Sequence, residues 1–190
     1  MSGRPIGLAA LCVVALWAGL AAAADEEDVA ATWKRYEVRF YYVGFTTHYS
    51  CDGLRDKVRR LLLHAGVRKD VKISLSGCEV GLDRVARMPG LKVVFWAPEL
   101  PEAGRRDVGE PAIARWRPVV VRRGQPRGLE AGDCELVEQF RDRLLPKLKT
   151  RAVSGDINCV PHQLVGTRID LAFEVLEGLP PPDLAAAEPR

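Results

Sequence analysis

The chain has 190 residues, 47% of them hydrophobic, 28% charged and 7% aromatic, a composition that excludes disorder, collagen and coiled coil. Lys and Arg number 28 and Asp and Glu 25, a formal charge of +3. That excess is too small for a nucleic-acid binder or a polybasic membrane module.

Residues 1–24 carry one charge, Arg4, then an apolar run from Ile6 through Leu20 and four alanines. This is the n-region, h-region and small-residue site of a secretory signal, and it predicts a periplasmic or secreted protein with no membrane span after cleavage near Ala23 or Ala24. Removing it takes away one of the 28 basic residues and no acid, so 27 basic and 25 acidic residues remain, a charge of +2.

Residues 36–46 alternate, with Tyr36, Val38, Phe40 and Tyr42 on one face, which predicts a strand. From Leu54 the period lengthens. Leu54, Val58, Leu61, Leu62 and Ala65 form one apolar helical stripe, ended by Gly66. Asp70–Gly77 alternates again with Val71, Ile73 and Leu75 inward, and Leu91–Ala97 reads as a third strand stopped by Pro98. The Pro-, Gly- and charge-rich stretch 98–113 reads as a linker between a first half, 25–97, and a second, 114–178. Trp116–Arg123 is a strand that Pro118 pushes to a sheet edge, at least at its start. Asp133 is placed to cap a helix carrying Val137, Phe140, Leu144 and Leu148, which ends or kinks near Pro146. Strands around Thr150–Ser154 and over Thr167–Leu176 follow, and 179–190 reads as a mobile tail.

Loss of the signal removes Cys12 and leaves Cys51, Cys78, Cys134 and Cys159, an even number bound for an oxidising compartment. The spacings, 27 and 25 residues, match in position relative to the predicted strands and helices. They predict two disulfides, Cys51–Cys78 and Cys134–Cys159, and an internal repeat. The fold class expected is therefore α+β: a two-layer sandwich made from a duplicated strand-helix-strand-strand unit, with one six-stranded sheet or two small sheets.

The chemistry-bearing residues concentrate in Thr46–Gly53, at a strand-to-helix junction where unpaired N–H groups favour an anion. Two readings compete there. One is a polar turn with an oxidised Cys51. The other pairs His48-x-x-Cys51 with Cys159-x-x-His162 as a tetrahedral soft-metal set, or makes Cys51 a nucleophile beside His48 and Asp52, and each of these requires a free thiolate. His64 lies among leucines and reads as packing. Arg105, Arg106, Arg115, Arg117, Arg122 and Arg123 fall in one basic window and are candidates for an anion-binding patch. No Gly-rich phosphate loop, G-x-S-x-G, H-E-x-x-H or calcium loop is present.

The string YSCDGLRDKVRRLLLHAG, Tyr49–Gly66, resembles stretches in uncharacterised secreted proteobacterial proteins. The resemblance implies the same compartment and no activity. The expected function is a non-enzymatic binding or assembly module of the cell envelope, without cofactor or metal, whose partner is an envelope protein, glycan or lipid. The alternative is a metal-binding protein or enzyme centred on His48, Cys51 and His162.

Overall fold

A computed structural model describes residues 27–77, 88–101 and 109–179. Eight principal elements succeed one another: β1 (Val29–Tyr41), α1 (Cys51–His64), β2 (Lys72–Ser76), β3 (Gly90–Glu99), β4 (Glu110–Arg122), α2 (Cys134–Arg143), β5 (Thr150–Asn158) and β6 (Arg168–Gly178). The strands form one sheet in the order β2-β3-β1-β4-β6-β5, and every neighbouring pair is antiparallel.

The expected two-layer α+β sandwich from a duplicated unit with two disulfides is corrected by this. The molecule is mostly a single six-stranded antiparallel sheet with two short helices, and one disulfide, Cys134–Cys159, lies within the described residues. Matched cysteine spacing does not carry a repeat. The helices are 14 and 10 residues long, and β2 and β5 are 5 and 9. Cys51 is disulfide-bonded, and its expected partner Cys78 lies outside the described residues, as do the expected signal, residues 1–24, and most of the expected tail.

Alternation marks the half-buried strands correctly in kind but not in length. β1 begins seven residues before Tyr36, because Thr32 and Trp33 pair with Glu99 and Pro98 of β3 while Val29–Trp33 also pair with Ala114–Glu110 of β4. Pro98 does not stop β3. On that strand's other side β2 reaches only to Val94, so no neighbour there needs an N–H from Pro98. In the same way Pro118 sits in a strand that is central by order, yet past Ala114 only β6 is paired with it. Strand pairing reaches into the expected linker from both sides, at Glu99 and Glu110.

Both helices bury their stripes against the same sheet face. Leu54, Val58, Leu61 and Leu62 of α1 and Leu136, Val137 and Phe140 of α2 share one core with Phe40, Val93, Phe95, Val119, Leu171 and Phe173. Ser50 Oγ accepts from Gly53 N at 3.1 Å to begin α1, and Gly66, at φ +78°, ends it in the left-handed region. Across the sheet a small second cluster, Ala31, Ala114 and Leu176, lies under Trp116. Arg68 stacks between Trp33 and Trp96 at 5.3 and 4.9 Å from the ring centroids. Among the described residues no helix is long and apolar enough to cross a membrane.

Phe140 has no solvent exposure, so Phe140→Ala should cost about 3–5 kcal/mol through lost transfer energy and the cavity left behind. Urea unfolding of the oxidised protein measures this, and a loss below about 1 kcal/mol would contradict the core assignment.

Candidate functional site

β1 ends at Tyr41 because the next residues turn inward to meet α2. Val43 N donates to Gln139 Oε1 at 3.1 Å and Gln139 Nε2 donates back to Val43 O at 2.6 Å, so an amide side chain replaces the missing neighbouring strand. Gly44 follows where no other residue fits. A Cβ there would lie 1.9 Å from the Tyr42 hydroxyl and 2.8 Å from Glu135 Oε2. Phe45 N and Thr46 N then both donate to the Glu135 carboxylate, at 2.9 and 3.0 Å. Glu135 is only 6% exposed, and its charge is favoured at the start of α2, where the helix amides converge.

The second loop, 159–167, is fixed by the neighbouring residue. Cys134, the first residue of α2, is bonded to Cys159 with Cα atoms 5.5 Å apart. The two loops also touch each other. His162 N donates to Thr46 Oγ1 at 3.1 Å, the Thr46 hydroxyl donates to Val160 O at 3.4 Å, and the Phe45 and His162 rings meet edge to face at 5.9 Å. His162 holds φ +62°, a left-handed conformation that non-glycine residues adopt at a cost and that clusters at functional loops. Leu164 and Thr47 both flank Gly132 just ahead of α2.

Behind the loops lies a buried polar network. Asp133, 2% exposed, accepts from the Tyr49 hydroxyl, from Lys57 Nζ at 2.6 Å and from Glu130 N at 2.6 Å. It precedes α2 as expected, but its side chain serves this network and makes no capping bond to that helix. Tyr42 donates to Thr47 O at 2.9 Å and lies 4.8 Å from Tyr49, ring to ring. Burial pushes both phenols far above their ordinary range, and the carboxylates of Glu135 beside Tyr42 and Asp133 beside Tyr49 push them further. Among the described residues no buried side-chain nitrogen or oxygen lacks a partner, and the bonds these two acids accept tie the loops in place.

The segments that carry His48-x-x-Cys51 and Cys159-x-x-His162 do meet, through Thr46 and His162. Cys51 and Cys159 are both oxidised, however, which removes the thiolates that a metal set or a nucleophile needs. Among the described residues no three His, Cys, Asp or Glu side chains gather as a metal ion would require. His48 is exposed. His64 Nε2 lies 2.9 Å from Val120 O, a backbone partner that helical periodicity does not reveal. In the arginine window, Arg115 pairs with Asp28 at 2.8 Å, Arg117 pairs with Glu177 and donates to His64 O, Arg122 and Arg123 are exposed, and Arg105 and Arg106 lie outside the described residues. Tyr42, Tyr49, Lys57 and Glu135 were invisible as a group, because their separations of up to 93 residues carry no local signal. Comparison with protein-family models, with curated proteins and with solved structures finds no match to this chain.

Asp133→Ala should destabilise the protein by about 3–5 kcal/mol, since it strands the Lys57 ammonium in a half-buried site and leaves the Tyr49 hydroxyl unpaired. A change under about 1 kcal/mol in denaturant unfolding would show that the network is dispensable. The phenols make a second expectation. Above pH ~10 the unfolded chain releases phenolic protons that folded Tyr42 and Tyr49 retain, so stability is full below that pH and falls as pH rises beyond it. In a phenolate absorbance titration these two tyrosines should ionise only as the protein unfolds. Ionisation of all four tyrosines of the chain near pH ~10 with the fold intact would contradict their burial.

Proposed function

We propose that this chain is a non-enzymatic binding module of the cell envelope, periplasmic or secreted, and that it takes hold of a partner protein through the face made by the loops at 43–48 and 159–165. The observation that carries the reading is the exposure of Phe45 (59%), Leu164 (58%) and Val165 (85%) on two loops clamped from behind by adjacent residues, Glu135 and Cys134. Exposed apolar side chains grouped on one face are a recurrent mark of protein recognition, and holding them rigid lowers the entropy lost on binding. The edge-to-face pair of Phe45 and His162 supplies an aromatic anchor of the kind that concentrates binding energy. The compartment is supported by the signal-like residues 1–24 and by the oxidised cysteines.

A photo-crosslinker placed at Val165 in the secreting cell tests this. One discrete envelope protein should be captured there and not from a crosslinker at Arg39, an exposed position on β1. The change Phe45→Ser combined with Leu164→Ser should remove the capture while leaving the unfolding transition within about 0.5 kcal/mol of the parent. Undiminished capture by the double variant would overturn the assignment of the face.

A further inference from the structure

Several cationic side chains among the described residues are matched by carboxylates: Arg35 and Lys92 by Glu37, Arg68 by Asp70 and Glu110, and Arg115 and Arg117 by Asp28 and Glu177. The turn that leaves β4 gathers arginines that are not. Arg122 and Gln125 exchange both backbone hydrogen bonds, at 2.9 and 2.8 Å, around Arg123 and Gly124, the latter at φ +80°. Gly124 N donates to Leu129 O at 2.7 Å and Leu129 N to Pro126 O at 3.1 Å, so residues 122–129 close into a compact knob carrying Arg122, Arg123 and Arg127.

A fourth guanidinium comes from α1. Arg60 lies against Gly128, where a Cβ would stand 2.6 Å from its Nη1, and φ +84° demands glycine at that position independently. One helical turn earlier Lys57 Nζ donates to Gly128 O and docks the knob on the helix. Arg60, Arg122, Arg123 and Arg127 are all exposed, and among the described residues none forms an ion pair. Asp170 stands opposite Arg122 across the strand pair without bridging to it.

Three like charges on the knob and a fourth beside it on α1 repel each other, an anion between them relieves this, and planar guanidinium forks match phosphate oxygens two at a time. We propose that this knob is a phosphate-binding site, taking clustered phosphates either from lipid headgroups or from a soluble oligophosphate. It is distinct from the loop face proposed for partner binding and does not depend on that reading. It also replaces the patch read from sequence, since Arg115 and Arg117 are neutralised by carboxylates.

The test uses the full chain with two probes: inorganic tripolyphosphate by calorimetry, and phosphatidylglycerol vesicles by co-sedimentation against phosphatidylcholine vesicles. The variant Arg123→Gln with Arg127→Gln should weaken binding about tenfold or more. The charge-matched variant Arg39→Gln with Lys72→Gln should bind as the parent does. Binding in the tripolyphosphate arm assigns a soluble ligand, and binding in the vesicle arm alone assigns the headgroup surface. Absence of binding in both arms, or equal loss in the two variants, would overturn the proposal, because the second outcome reduces the effect to net charge.

Discussion

The structure turns on a narrow seam. β1 and β4, the two central strands, are paired only over Val29–Trp33 and Glu110–Ala114, after which they run apart in opposite directions, β1 accompanied by β3 alone and β4 by β6 alone. A strand edge left open in mid-sheet exposes backbone groups that are costly to bury unpaired. The chain answers this reciprocally. α2, from the second half, sends Arg143 to Tyr41 O at 2.7 Å at the end of β1 and Gln139 to Val43 just past it. α1, from the first half, sends His64 to Val120 O on β4, where Arg117 returns a bond to His64 O. Each helix therefore covers the edge belonging to the other half, and one hydrophobic core runs beneath both.

The loop face inherits its position from the same arrangement. Because α2 lies against the end of β1, its first residues arrive beside the loop that β1 releases, and Glu135 takes two consecutive amides of that loop. Cys134, one residue earlier, takes the other loop covalently. Burying Asp133 and Glu135 is tolerated because tyrosine hydroxyls, a lysine and backbone amides meet them, and a fully satisfied network of this sort fixes one arrangement of its surroundings. Phe45 stays exposed although its backbone amide is held by Glu135, and Leu164 stays exposed on the loop that Cys159 ties to α2.

Local pattern carried much of this, and long-range pairing the rest. The stripe Leu54–Val58–Leu61–Leu62 was legible as a helix face because a buried helix side imposes its period directly on the residues. The alternation in β6 was legible for the same reason, with Ile169, Leu171, Phe173 and Val175 all buried. Strand ends were not, since Pro98 and Pro118 are admitted only where a neighbouring strand happens to stop. Even cysteine spacing suggested a repeat that the unequal helices and strands do not support. Of the site, the sequence pointed to Thr46–Gly53 and to His162, which do lie together. Of the two readings there, the polar turn with an oxidised Cys51 agrees with the bonded cysteines, and the Cys134–Cys159 pairing read from spacing is present, whereas the tertiary partners of Glu135 leave no mark in local spacing. In the arginine window, charge density was legible and neutralisation was not: Arg115 finds Asp28 and Arg117 finds Glu177 only through the fold.

Reciprocal coverage across the seam makes the two halves one cooperative unit, despite only five residue pairs in the β1–β4 register. Native-state hydrogen exchange measures this directly. The slowest amides of β3 and of β6, which flank the seam on either side, should open with the same free energy and shift together when Gln139→Leu removes the bonds to Val43. Protection in β6 that persists while β3 exchanges freely would contradict the account, because it would mean that each half stands without the other's helix.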